Sequence, residues 1–383
     1  MNQDKIQHIL SDNRLLICVG AGGVGKTSMA ATMGVHAALM GRKVLVLTID
    51  PAKRLANSLG LQEFGNQEVQ IDLSVLSNNS GELWAMMLDG KQAFHELIDR
   101  VAENEETKQA IYDNNIYQSI ADTIVGNQEY MATEKLYDVL HSGKYDLVIL
   151  DTPPVKNALD FLESPGRMAQ FVDKRIMKWF LADGKQKTLL RRLVSGTSAK
   201  LFGLLGHIFG KEFLEDIAIF FQHFKELYEG FQARHQAVEA IFRDDKTGFL
   251  IVSSPTEPAT EVARFFVEQL HLRKMPLLGV IANQCHQVSS STNDVESTLL
   301  SHCERLNEGL ASDTPNRMVA RIRSAHKRLA MLQEYEDTLI NSVESTLSSG
   351  QFLHRVPKIQ GEVHDLQALH KVGEYLFISL ESV

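Results

Sequence analysis

The sequence predicts an α/β fold built on a mostly parallel sheet flanked by helices, and three observations carry that prediction. Six continuous apolar runs of strand length recur along the 383 residues, helical patterns separate several of them, and a glycine-rich loop joins the first run to the first helix. The runs are 15–19, 44–49, 83–88, 147–150, 249–252 and 277–282. None alternates apolar with polar residues, as a strand with one wet face does. Continuous runs belong to strands covered on both faces, which is the situation in a parallel sheet.

Two stretches break this rhythm. Residues 91–141 and 157–243 are helix-patterned with almost no strand signal, and read as insertions that form a helical subdomain beside a core made of 1–90, 142–156 and 244–383. Phe at 171, 180, 202, 209, 213, 220, 221, 224, 231 and 242 accounts for ten of the chain's 18. So much aromatic surface packs into a helical core, the commoner use, or onto a client or a second subunit. The serines and threonine at 289–292 read as a loop before a helix that starts near Val295.

Composition narrows the class of function. With 39 Lys and Arg against 48 Asp and Glu the net charge is -9, so a nucleic-acid binder relying on overall charge is not expected. Three cysteines, Cys18, Cys285 and Cys303, contain no CxxC pair, which leaves neither a disulfide framework nor a cysteine zinc site and fits a reducing compartment. The first ten residues have no apolar signal core, and no run approaches the roughly 20 apolar residues of a spanning helix. The expectation is a cytoplasmic protein whose membrane contact, if any, is peripheral. Residues 174–192 are strongly basic around Trp179 and Phe180, a composition that suits an anionic membrane surface, an acidic partner or a plain solvated helix face.

The glycine-rich loop carries the chemistry. Gly20-Ala21-Gly22-Gly23-Val24-Gly25-Lys26-Thr27 matches G-x-x-x-x-G-K-[ST] between a strand and a helix, the phosphate-binding loop of P-loop NTPases. The glycines turn backbone N–H groups inward and the helix N-terminus adds partial positive charge, so residues Gly22 to Ser28 cradle phosphates. Lys26 neutralises them, and the Thr27 hydroxyl is a Mg²⁺ ligand. Asp50 follows the second run and Asp151 the fourth, both at strand carboxyl ends, where open α/β sheets place ligands. Asp151 stands where a Walker B carboxylate reaches Mg²⁺; Asp50 is placed to act on attacking water or on the metal. Either aspartate alone serves equally well as a strand-end cap. Asn283 follows the sixth run and offers both an amide donor and an acceptor to a purine edge. Three residues later GTPases place an Asp for guanine; this chain has His286, which favours ATP.

With these pieces in view the chain resembles the ArsA family of P-loop ATPases. The matching segments are GAGGVGKTS at 20–28, TIDPAKRLANSLG at 48–60, LWAMMLD at 83–89, YDLVILDTPP at 145–154 followed by NALDFLESP, NQ at 283–284, and VPKIQGEVHDLQAL at 356–369. The resemblance implies an ATP- and Mg²⁺-dependent homodimer with Asp50 in a first switch acting on the hydrolytic water and Asp151 opening a second. It also implies Asn283 on the adenine and the loop near Pro357 lining the base.

The departures bear on function. Members with the deviant loop carry a Lys directly after its first Gly, reaching the partner subunit's phosphates; this chain has Ala21. Trans contacts of that kind, supplied as an arginine finger, are worth about 10³ to 10⁵ in rate. Either turnover is slow or another cation substitutes, and Arg54, four residues after Asp50, is the candidate beside its plainer reading as a solvated surface residue. Three scattered cysteines also argue against the thiolate chemistry of arsenite binding. The leading reading is an ATPase whose switches move the helical subdomain on a protein partner. The alternatives are an ATPase driving a metalloid or anion pump in the membrane, and a slow nucleotide-gated binding module.

Overall fold

The computed structural model describes residues 2–49, 55–56, 59, 67–77, 81–90, 92–93, 96, 99, 105–112, 128–153, 161, 234, 236–288, 314–359, 361, 363 and 365–377. In chain order α1 (Asn2–Asp12) leads to β1 (Leu15–Gly20), α2 (Lys26–Leu39), β2 (Lys43–Thr48), β3 (Val69–Ile71) and β4 (Glu82–Met87). Then come α3 (Glu105–Tyr112), α4 (Gln128–Ser142), β5 (Leu147–Asp151), β6 (Thr247–Ser253) and α5 (Glu257–Leu272). The chain continues through β7 (Leu277–Cys285), α6 (Thr314–Glu344), β8 (Phe352–Pro357) and α7 (Leu366–Phe377).

The strands form one sheet in the order β3-β4-β2-β5-β1-β6-β7-β8. Every neighbouring pair is parallel except β3 with β4. The continuous apolar runs are explained by two cores, one on each face. In β1, Leu15, Ile17 and Val19 enter one core while Leu16 and Cys18 enter the other. The first core holds Met131 and Leu136 of α4, Phe266 of α5 and Val343 near the end of α6. The second holds Ile6 and Leu10 of α1, Met33 of α2, and Leu369 and Val372 of α7. Each fully buried Leu or Ile contributes about 1.5–3 kcal/mol, so a strand such as β1 is fixed by its side chains as well as by its ladder.

Two phenylalanines of the stretch 157–243, Phe242 from the ten named above and Phe161 beside it, belong to the first of these sheet-packed cores. Phe161 and Phe242 lie with ring centroids 5.3 Å apart, and Phe242 meets Phe249 of β6 edge-on at 6.2 Å. The nine from Phe171 to Phe231, the basic segment 174–192 and the loop at 289–292 fall outside the described residues. No helix among the described residues is long and apolar enough to cross a membrane.

The topology places the site. From β1 the chain passes by α2 to β2, on one side of β1, whereas β6, β7 and β8 are added on the other. The carboxyl end of β1 is therefore the switch point of the sheet, where a crevice opens for ligand.

Candidate functional site

The loop from Gly20 to Thr27 leaves β1 at this switch point and turns directly into α2. Gly25 caps the helix with φ 90° and ψ 25°, a left-handed conformation that favours glycine, and there is also no room for a side chain: a Cβ would meet Asn283 Nδ2 at 2.4 Å. Val24 is rooted in the second core at 2% exposure, while Gly22 and Gly23 stand exposed at the tip. Ser28, half-buried, completes the first turn of α2. An apolar anchor beneath exposed backbone amides presents those amides rather than side chains to an anion.

Lys26 curls back over the loop, its Nζ donating to the carbonyls of Ala21 at 2.8 Å and Gly20 at 3.2 Å. The Thr27 hydroxyl donates to Asp151 Oδ2 at 2.7 Å, and the Thr48 hydroxyl donates to the same oxygen at 2.9 Å. Sheet order explains the convergence. β5 lies between β1 and β2, with Asp151 in register with Cys18 on one side and Thr48 on the other. Asp151 is fully buried, and a buried carboxylate persists only with such donors around it. The Thr152 hydroxyl donates to the Cys18 carbonyl at 2.7 Å, pinning the segment after β5 to β1.

Asn283 arrives from the other side. It is buried at the end of β7, and its Nδ2 donates to the Val24 carbonyl at 2.9 Å. The next residue, Gln284, has φ 63° and donates from Nε2 to the Gly23 carbonyl at 3.4 Å. A left-handed glutamine costs about 1–2 kcal/mol, and strain of this kind collects where side chains must be aimed. The ladder between β7 and β8 shifts register between Ala282 and Cys285, so the amides point at the phosphate loop within a strand that still pairs. Pro357 ends β8 beside Cys285, and the Lys358 amide donates to the Cys285 carbonyl at 2.8 Å.

The structure thus brings together Lys26, Thr27, Asp151 and Asn283, with Pro357 one strand away. Asp50 and Arg54 lie outside the described residues. Sequence reasoning missed Thr48, Thr152 and Gln284. The signal for Thr48 was available, since it precedes Asp50 by two residues at a strand end. Gln284 is visible only through its backbone conformation.

The donor set fits a hard divalent cation. The Thr27 hydroxyl and Asp151 carboxylate oxygens, 2.7 Å apart, make an oxygen pair of the kind Mg²⁺ takes beside a polyphosphate. The cysteines suit soft-metal chemistry poorly. Burial raises both the Cys18 thiol, with help from the Asp151 charge, and the Cys285 thiol, which is pushed up to about 12. A thiolate ligand must first lose its proton. The two lie on β1 and β7, with β6 between them, and Cys303 is outside the described residues.

Comparison with known proteins agrees with this geometry. A family model described as anion-transporting ATPase matches residues 13–308, well over half of the chain. The chain is 28% identical over 299 residues to ATPase ARSA1 of Chlamydomonas reinhardtii, covering 73% of this chain and 36% of that protein. It is 27% identical over 286 residues to ATPase GET3B of Arabidopsis thaliana, covering 71% and 64%. It is 29% identical over 171 residues to ATPase GET3 of Malassezia globosa, covering 44% and 48%. The chain therefore spans between about a third and two thirds of the length of these curated relatives. A glycine-rich loop at the switch point, a buried carboxylate bonded to its threonine and a family match over most of the sequence lead to one assignment: the chain belongs to the ArsA ATPase family.

Proposed function

We propose that the chain is a Mg²⁺-dependent ATPase that binds ATP on the loop 20–27 and uses its hydrolysis to reposition a helical subdomain on a protein partner. The observation that carries this reading is the Thr27–Asp151 bond of 2.7 Å beneath a loop whose lysine lies at its rim. Backbone amides of Gly22 to Ser28 and the α2 N-terminus receive the phosphates, and Lys26 neutralises them. Thr27 and Asp151, with Asp50, hold the metal, which when bound offsets the charge on the β and γ phosphates. Asp50 orients the water. Asn283, anchored by one N–H on Val24, faces the base together with the segment after Pro357, and His286 denies guanine the carboxylate it needs.

The switch segments after Asp50 and Asp151 transmit the nucleotide state to the subdomain formed by 91–141 and 157–243. The working unit is a cytoplasmic homodimer. Arg54 supplies the cation that Ala21 cannot. Calorimetry with Mg-ADP and Mg-GDP tests the reading: adenine nucleotide binds in a magnesium-dependent way and Lys26→Ala abolishes it. No magnesium-dependent affinity for adenine nucleotide overturns the proposal.

Ala21 favours a second reading, a nucleotide-gated binding module that hydrolyses very slowly. Single-turnover hydrolysis with and without Asp50→Asn separates the two. An enzyme loses its rate with Asp50→Asn, whereas a slow switch has little rate to lose. Arg54→Ala slows turnover if that residue replaces the missing lysine, and leaves it unchanged if it does not.

A further inference from the structure

Helix α6 presents an unusual surface. Between residues 314 and 333 it carries five Arg or Lys and no Asp or Glu, in a chain whose net charge is -9. Along this part Met318, Ile322, Ala325, Leu329 and Leu332 recur at alternating spacings of four and three. That is the a/d repeat of a coiled-coil seam. The same spacing runs on through Glu336 and Leu339 to Val343, and Glu336 and Val343 are buried against the body of the protein. The seam therefore leaves the core and continues outward with Met318 45%, Leu329 44% and Leu332 38% exposed. Arg321 and Arg328, both exposed, each stand one position before a seam residue, the g positions that choose a coiled-coil partner by charge.

We infer that the outer half of α6 is a docking surface for an acidic amphipathic helix of a protein partner. From Met318 to Leu332 the seam spans roughly 20 Å, about two heptads of a partner helix. A second copy completes it less well: antiparallel pairing would set Arg321 and Arg328 against the same g positions, and parallel pairing would set them against His326 and Gln333, neither of which offers a carboxylate. A bilayer calls for one broad apolar face; Met331 and Tyr335, 62% and 54% exposed, also stand on this helix, but Arg321 and Arg328 interrupt the face between Met331 and the seam. Acidic residues at the partner's e and g positions complete the pairing. This surface goes beyond the nucleotide reading and does not depend on it.

Fluorescence anisotropy with the full chain tests the inference, the probe being a labelled acidic peptide of about three heptads with Leu at a and d and Glu at e and g. Wild type binds this peptide and binds at least about tenfold more weakly a peptide of the same composition with the heptad order scrambled. Leu329→Asp, and Arg321→Glu with Arg328→Glu, each weaken binding about tenfold or more. The charge-reversed chain gains affinity for a peptide with Lys at e and g. The three substituted positions, Arg321, Arg328 and Leu329, are exposed, and unchanged melting temperatures confirm that the variants fold. Equal binding of the scrambled peptide overturns the proposal. So does sedimentation of wild type with phosphatidylserine vesicles in the absence of peptide binding, or self-association abolished by Leu329→Asp. Calorimetry with Mg-ADP on the same sample reads the nucleotide site separately, so failure of one assignment is not mistaken for failure of the other.

Discussion

Gly25→Ala is the most informative single change at the phosphate loop, because two physical effects act there and one can be removed independently. At φ 90° an alanine pays the left-handed penalty of about 1–2 kcal/mol. Its Cβ would also stand 2.4 Å from Asn283 Nδ2, about 1 Å inside normal contact, and the amide can retreat only by giving up its 2.9 Å bond to Val24. That bond contributes about 1 kcal/mol. The variant should therefore lose about 2–3 kcal/mol. Asn283→Ala alone leaves the Val24 carbonyl short of a donor and costs about 1–3 kcal/mol. In the double variant the obstructing amide is gone, so the combined loss falls short of the sum by about 1 kcal/mol. Urea denaturation with constant m-value measures all four chains, and Mg-ADP calorimetry reads the loop itself. Additivity within about 0.3 kcal/mol would refute the contact between Asn283 and the helix cap.

Three further outcomes follow from the packing around the site. Gly373 of α7 lies so close to α2 that a Cβ would stand 1.7 Å from His36 Nε2, and that ring is confined between Phe377 at 4.3 Å and His370 at 5.2 Å; Gly373→Ala should cost about 1–3 kcal/mol, read as a fall in melting temperature that His36→Ala partly reverses. Burial lowers the His36 pKa from 6.5 to about 4, opposed by its bond to the His370 carbonyl, and lowers His354 as well. Both rings are thus favoured neutral in the fold, so their contribution is complete above pH 6.5 and is lost as pH falls below it, for His36 as pH approaches about 4. For His36 the loss is about 3 kcal/mol once titration is complete, and urea titrations at stepped pH should show a slope over this window that His36→Ala flattens. Glu336→Ala strands the His286 amide and ring, which now donate to or meet its two oxygens at 2.8 and 2.6 Å; amide exchange across 284–288 should rise severalfold, and unchanged exchange would show that α6 does not hold this segment.

The central strands were legible because burial on both faces demands continuous apolar residues, and β1, β2, β4, β5, β6 and β7 obey that demand. β8 was not. It is an edge strand with His354 and Arg355 in its middle, each finding a polar partner, His354 on the Tyr375 carbonyl and Arg355 on Asn341. β3 is three residues long and antiparallel, too short for any period to show. At the site, Lys26, Thr27 and Asp151 were readable because strand ends and a glycine-rich turn fix where those side chains fall. What the sequence could not show is that Asn283 and Gln284 grip the loop's own carbonyls. That depends on a register shift in β7 and a left-handed glutamine, neither of which has a residue-type signature.

That grip links the base of α6 to the phosphate loop by a short path. Glu336 holds His286 through two bonds, the Gln333 side chain accepts from the Val288 amide at 2.9 Å, and the adjoining Asn283 and Gln284 hold Val24 and Gly23. No loop of uncertain length intervenes between the helix and the site: the connection is residues 283–288, all described. Each bond contributes about 1 kcal/mol, somewhat more where a carboxylate accepts. The weakest group in the series, the two amides on the loop carbonyls, therefore limits any coupling between α6 and the loop to about 2 kcal/mol. That limit falls inside the range of 1–3 kcal/mol, roughly 5- to 150-fold in affinity, over which distant sites ordinarily influence each other. If the outer seam takes a helix partner and the loop a nucleotide, this path therefore caps their mutual influence at about 2 kcal/mol, and addition of the acidic peptide should change Mg-ADP affinity by no more than about 30-fold.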